Sequence, residues 1–172
     1  LGAYQDALIG TLALVPQIVD AVSIPVIAAG GVMDARGIIA CHALGAQAVQ
    51  LGTAFLGCPE SGIPDAWRQS LLASQASQTT VTEAMSGKPA RGIRNRYITE
   101  AEKLDEPLLP YPLQYAISGA LRKQAAETDN PDFMAMWSGQ GVGLIQPLSA
   151  AELMQKLITD TEKLRKQLAS SN

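Results

Sequence analysis

Two short glycine stretches hold the residues best suited to chemistry. Gly30-Gly31 follows the apolar run Ile24–Ala28 (IPVIA), and Gly52-Thr53 follows Ala48–Leu51. A glycine lets backbone N–H groups approach an anion with no Cβ in the way. Thr53 adds a hydroxyl donor, and a helix starting nearby adds the partial positive charge of its N-terminus. One glycine pair after a strand is an ordinary strand-to-helix turn. Two such sites, separated by one helix and one strand, read as a phosphate cradle. Flavin mononucleotide, pyridoxal phosphate and sugar phosphates all use cradles of this kind.

The surrounding elements must bring the two stretches together. IPVIA is a short continuous apolar run, the mark of a strand buried on both faces. Asp34 is placed to cap a helix running to about Leu44, and Gly45 suits the left-handed turn that ends it. Ala48–Leu51 resumes as a strand. Strand, helix and strand make a βαβ unit, which requires a parallel pair. The last two strands of many (β/α)8 barrels hold a phosphate in this way, at the C-terminal face. Upstream, Pro16 fits the first position of a helix, with Ile18, Val19 and Val22 as its apolar stripe. Downstream, Val81–Met85 and Ile93–Thr99 flank SGKPARG, which joins either two strands of a hairpin or a helix and a loop. A helix is predicted over Leu113–Glu127 and another over Ala150–Gln167. The second has Ser149 and Glu152 as a capping box and Leu153, Leu157, Ile158, Thr161 and Leu164 as its stripe.

Composition narrows the class. The chain has 172 residues, 47% of them hydrophobic, which excludes disorder, collagen and coiled coil as overall descriptions. Only 17% are charged, below the roughly 25% of soluble domains, so part of the surface is expected to be covered. Residues 1–60 hold one basic side chain, Arg36, and four acidic ones, Asp6, Asp20, Asp34 and Glu60. A net charge of −3 gives no reason to expect nucleic acid or an anionic membrane as a partner. No apolar run approaches the roughly 18 residues of a membrane span, and LGAYQDALIG lacks a basic n-region. Cys41 and Cys58 make neither a disulfide framework nor a CxxC clip, so no metal is expected and the default setting is the reduced cytoplasm.

At this point a specific resemblance emerges. IPVIAAGGVMDARGIIACHALGAQAVQLGTAFL is similar to the FMN-binding end of the nitronate monooxygenase family, formerly the 2-nitropropane dioxygenases. The similarity continues through CPESG, GKPARGIRNRYI, YPLQYAISGALR and MWSGQGVGL, and TLALVPQIVDAV before it also fits. It covers nearly the whole chain. The Ala-Gly-Gly and Gly-Thr-Ala pieces are shared with other FMN barrels. ARGIRNRYI and its spacing to WSGQG favour the nitronate branch. The resemblance implies an α/β chain forming the C-terminal part of an FMN-binding (β/α)8 TIM barrel plus a smaller capping domain. Residues 1–57 would be the last barrel strands and helices, 58–148 the cap and 149–172 a helix returning to the barrel. Ala29, Gly30, Gly31, Gln50, Gly52 and Thr53 would contact FMN, and Gly139 and Gln140 would line the same pocket. The implied activity is oxidation of alkyl nitronates or nitroalkanes by O2 to a carbonyl compound and nitrite. The FMN-dependent enoyl-acyl-carrier-protein reductases share the cradle and are the alternative enzyme class. A flavin-binding half without activity of its own is the third reading.

In that family a histidine deprotonates neutral nitroalkanes, and it is expected upstream of Leu1, within an N-terminal half of the barrel that these residues do not supply. No catalytic residue is therefore expected in this chain. His42 is placed beside the apolar helix face near Ile38 and Ile39, as a half-buried packing residue. GQGVG does not meet the dinucleotide fingerprint, which needs glycine at Leu144. Arg91, Arg94 and Arg96 form a small basic cluster with two readings, a contact for an anionic substrate or phosphate and, ahead of it, a solvated edge balanced by Glu100, Glu102, Asp105 and Glu106. Cys41, Trp67 and Trp137 read as packing residues, with a contact to the flavin pocket as the alternative for Trp137, beside SGQG. Cys58 has no nearby base to make it a nucleophile.

Overall fold

A computed structural model describes residues 9–170; Asp6 and most of LGAYQDALIG lie outside the described residues. The chain forms two compact units, Leu1–Ser61 with Leu144–Asn172, and Gly62–Gly143. These bounds differ from 57/58 and 148/149. Glu60 explains the first difference, since its carboxylate accepts the Ala150 N–H at 3.1 Å and ties Pro59–Ser61 to the last helix. Ile145 and Leu148 explain the second by packing against the core of the first unit.

In the first unit, α1 spans Thr11–Ala21. Pro16 lies inside it, not at its first position, because the helix-favouring TLAL segment starts the helix upstream. The ring removes the N–H that would bond the Leu12 carbonyl, a loss that water can meet because Leu12 is 73% exposed. The buried seam is Val15 with Val19, while Ile18 and Val22 are exposed, contrary to the predicted stripe. β1, Ile27–Ala29, and β2, Ala48–Gln50, pair in parallel with Ile27 opposite Ala48 and Ala29 opposite Gln50. Between them α2, Ala35–Ala43, starts at Asp34, whose carboxylate accepts the Arg36 N–H at 2.9 Å. Gly45 ends the helix at φ +96°, and a Cβ there would meet Val19 at 2.8 Å. The βαβ unit therefore forms as its punctuation predicts.

Burial on both faces of β1 does not hold. Ala28 and Val49 face α1 and α2, with Val15, Val32, Cys41 and Ala46 completing the core. Ile27 and Ala29 point the other way and are exposed, Ile27 by 62%. Among the described residues this sheet has two strands, and α1 and α2 pack on the face that carries Ala28 and Val49. α3, Thr53–Leu56, follows β2. The last helix, Ala150–Ser170, outlasts its predicted end at Gln167 and opens with the capping box: Ser149 donates its N–H to Glu152 at 2.9 Å, and Glu152 returns its N–H to the Ser149 hydroxyl at 3.2 Å. Leu153 and Leu157 bury against Met33, Ala54 and Cys58, whereas Ile158 is half exposed.

The second unit holds α4, Asp65–Ala73, and an antiparallel hairpin of β3, Thr79–Thr82, with β4, Ala90–Ile93. Of the two joins allowed around SGKPARG, the hairpin forms. The second strand begins inside that segment, and Arg96–Ala101 is helical instead, as α5, capped by Asn95. The Asn95 amide also donates to the carbonyls of Pro131 and Met134 at 2.9 and 2.8 Å. The helix predicted over Leu113–Glu127 divides into α6, Leu113–Ile117, and α7, Gly119–Glu127. At the break, buried Ser118 donates its hydroxyl to the Met85 carbonyl at 3.0 Å. Leu71, Met85, Ile98 and Val142 are the largest fully buried aliphatic side chains of this unit.

Candidate functional site

The parallel register delivers both glycine stretches to one end of the sheet. Ala29 and Gln50 are opposite each other in the last recorded pair, and the chain leaves β1 through Gly30 and Gly31 and β2 through Gly52 and Thr53. Neighbouring strands lie about 4.8 Å apart, so the two turns open side by side. Gly30 and Gly31 both have positive φ, +107° and +74°. A Cβ on Gly31 or on Gly52 would meet nothing within 4 Å, so backbone lines open space at both strand ends. Gln50 is exposed on the same uncovered sheet face as Ala29.

Six of the eight residues singled out as cofactor contacts, Ala29, Gly30, Gly31, Gln50, Gly52 and Thr53, thus converge. The other two, Gly139 and Gln140, belong to the second unit, where Gly139 accepts hydrogen bonds from the Ser138 hydroxyl at 3.1 Å and the Val142 N–H at 3.2 Å. Sequence reasoning missed Thr11, whose hydroxyl donates to the Gly30 carbonyl at 2.7 Å. A hydroxyl at the first position of a helix carries no pattern that reveals a partner so distant in the chain.

Asp34, the charged group closest in sequence to the Gly30 turn, is already occupied. Its carboxylate pairs with the Arg36 guanidinium at 2.5 Å. That hydrogen bond holds the carboxyl below its usual range against the opposing effect of partial burial. The turns therefore offer mainly oriented backbone dipoles.

His42 is exposed and not half-buried, and its ring Nδ1 lies 2.9 Å from the Ala46 carbonyl. It lies at the end of α2, and α2 runs antiparallel to the strands, so His42 is at the opposite end of the βαβ unit from the glycines. Cys58 is buried to 1% exposure, and burial pushes its thiol up, further from a nucleophile. Arg94 pairs with Glu102 at 2.5 Å as the edge reading requires. Arg91 bonds the Thr79 hydroxyl at 3.0 Å, and Arg96 lies over the Phe133 ring. Among the described residues no cluster of three or more His, Cys, Asp or Glu could hold a metal, and no helix is long and apolar enough to cross a membrane.

A groove of about 730 Å³ runs along β2, lined by Ile27, Val49, Leu51, Phe55, Leu157 and Ile158, among others. It is an apolar surface beside a strand that has one recorded neighbour.

Residues 2–160 match the family model for nitronate monooxygenase. A probable nitronate monooxygenase of Staphylococcus saprophyticus is 43% identical over 169 residues, which are 95% of this chain and 48% of that protein. One from Staphylococcus haemolyticus is 46% identical over 160 residues, 93% of this chain and 45% of its own length. Among solved structures, nitroalkane oxidase from Streptomyces ansochromogenes superposes with a TM-score of 0.88 at 38% identity, covering 98% of this chain and 48% of that one. FabK from Thermotoga maritima superposes with a TM-score of 0.81 at 28% identity, covering 95% and 52%. The chain thus spans about half the length of the curated relatives it matches. With the glycine turns at adjacent strand ends and a family match over nearly all its residues, the chain belongs to the nitronate monooxygenase family.

Proposed function

We propose that these residues form the C-terminal, FMN-binding part of a (β/α)8 barrel enzyme that oxidises alkyl nitronates or nitroalkanes with O2, yielding a carbonyl compound and nitrite. The observation that carries the reading is the open backbone at Gly31 and Gly52, side by side at the ends of two parallel strands. Such a cradle fits a phosphate: glycine N–H groups donate to it, and no side chain fills the space where it would sit. When bound, FMN supplies the one-electron chemistry that passes between nitronate and oxygen.

This chain's own residues bind and orient. Gly30, Gly31, Gly52 and Thr53 would hold the phosphate end. Ala29 and Gln50, exposed on one sheet face, would contact the rest of the cofactor, Gln50 through its side-chain amide. Gly139 and Gln140, which the family resemblance adds to the cofactor contacts, belong to the other compact unit. The apolar groove along β2 is where the rest of the barrel adds its strands. Proton abstraction from a neutral nitroalkane needs a general base. The single histidine of this chain, His42, is at the wrong end of the strands. The family resemblance assigns that base to a histidine in the N-terminal part of the full-length enzyme.

The test is the full-length protein, purified and assayed for bound flavin and for oxygen uptake with a nitronate. FMN should be released on denaturation, and nitrite should form without consumption of NADH or NADPH. Reduced nicotinamide as an obligatory electron source would move the protein to the enoyl-reductase class. A colourless protein that takes up no flavin would leave only a structural role.

A further inference from the structure

Thr11 is the first residue of α1, one position past the N-cap Gly10, so its hydroxyl does not cap the helix. Its Oγ1 donates to the Gly30 carbonyl at 2.7 Å, with the Ala29 carbonyl a longer 3.4 Å away, while the helix start at Gly10 has no side-chain cap. The two partners are also fitted sterically. A Cβ on Gly30 would stand 2.9 Å from the Thr11 hydroxyl.

A trans peptide points its C=O and its N–H in opposite directions. The Gly30–Gly31 peptide lies between two glycines, where backbone conformations of either hand are accessible, so little else in the turn selects one orientation. Fixing the Gly30 carbonyl on Thr11 turns the Gly31 N–H to the opposite side. We propose that Thr11 is a positioning residue for the phosphate cradle, holding the Gly30–Gly31 peptide so that the Gly31 N–H is presented to the anion. The inference rests on the proposed FMN site and adds to it a residue from α1 that touches no part of the cofactor.

The test uses the full-length protein stripped of flavin and titrated with FMN and, separately, with riboflavin, which lacks the phosphate. Thr11→Val keeps the side-chain volume and removes the donor; Thr11→Ser keeps the donor. Thr11→Val should weaken FMN about three- to tenfold, the effect of one lost hydrogen bond, and leave riboflavin unchanged. Thr11→Ser should bind FMN like the wild type. FMN binding untouched in Thr11→Val, or FMN and riboflavin weakened equally, would overturn the positioning role in favour of a purely structural one. Thr11→Ala, read by the same FMN-to-riboflavin ratio, serves if the valine variant does not fold. A wild type that binds riboflavin as tightly as FMN would overturn the phosphate cradle itself, and the role of Thr11 with it.

Discussion

Ala29 and Gln50 stand directly opposite each other in the parallel register, and a glycine follows each at the same offset, Gly31 after one and Gly52 after the other. The register of a short strand pair thereby decides where two loops open. A slip of either strand by one residue would turn that strand's residue, Ala29 or Gln50, to the helix side and stagger the glycines. Ala28 lies in the core with Val15 and Val32, and a slip would carry it to the uncovered face.

The two glycines should respond differently to the same substitution. Gly31 has φ +74°, so Gly31→Ala is expected to destabilise the fold by about 1–2 kcal/mol through backbone strain. Gly52 has φ −105°, which any residue adopts, and open space beside it. Gly52→Ala should therefore leave stability near the wild type. Each added methyl enters the proposed phosphate space and should weaken FMN about tenfold to a hundredfold, the equivalent of one charge-assisted hydrogen bond. Denaturant unfolding and flavin titration on the same variants separate the two effects. Wild-type FMN affinity in Gly52→Ala would remove the second half of the cradle.

His42→Leu should leave turnover of the full-length enzyme close to normal. The ring contributes one hydrogen bond to the Ala46 carbonyl, whose loss costs about 0.5–1.5 kcal/mol of stability. Steady-state kinetics with a neutral nitroalkane check this directly. A hundredfold fall in kcat with flavin content intact would place the base in this chain after all.

The local order of the first unit was legible because its punctuation has a mechanism. Asp34, Gly45 and the Ser149–Glu152 box each satisfy helix-end groups that must be satisfied, and all three perform those roles. What misled was inference from hydrophobicity to burial. Ile18, Val22, Ile27 and Ile158 are apolar and exposed, since a hydrophobic pattern identifies a face without saying what covers it. Pro16 misled for a different reason: a proline suits a first turn but also survives inside a helix where water can meet the orphaned carbonyl. The division at Ser118 was invisible because it depends on a hydroxyl bond to the distant Met85 carbonyl. The six strand-end residues of the candidate site were readable from glycine spacing and family resemblance. Thr11 was not, for it acts across α1 and β1.

Asp34 gives an acid-side signature. The Arg36 hydrogen bond, opposed by burial and assisted by the Arg36 backbone N–H, lowers its pKa below the ordinary value of 3.8. A depressed folded-state pKa contributes stability that is present above the unfolded value and is lost as pH falls through the folded one. Asp34→Ala removes both cap and ion pair, and at neutral pH should cost about 1 kcal/mol, mostly from the cap because the exposed pair is screened. The gap between wild type and variant should hold from neutrality down to about pH 4 and narrow below it. Urea unfolding at stepped pH measures the gap. A constant difference down to pH 2 would show that the carboxylate charge is irrelevant to the cap.

The 172 residues by themselves should not oxidise a neutral nitroalkane. The described residues give two parallel strands where a barrel needs eight, and the exposed face of β1 and β2 leaves Ile27 and the groove beside Leu157 and Ile158 in water. The glycine turns can still meet a phosphate, but nothing from this sheet walls the ring on its other side. Losing a general base alone typically forfeits about 10²–10⁴ in rate. A pre-formed nitronate needs no deprotonation, so residual reactivity should favour it over the neutral form. Oxygen uptake by the isolated chain with added FMN, compared between a neutral nitroalkane and its nitronate, decides the matter. Equal and full activity toward both, with no second polypeptide present, would mean that a base within these residues reaches the flavin and that the division of labour proposed for the two halves is wrong.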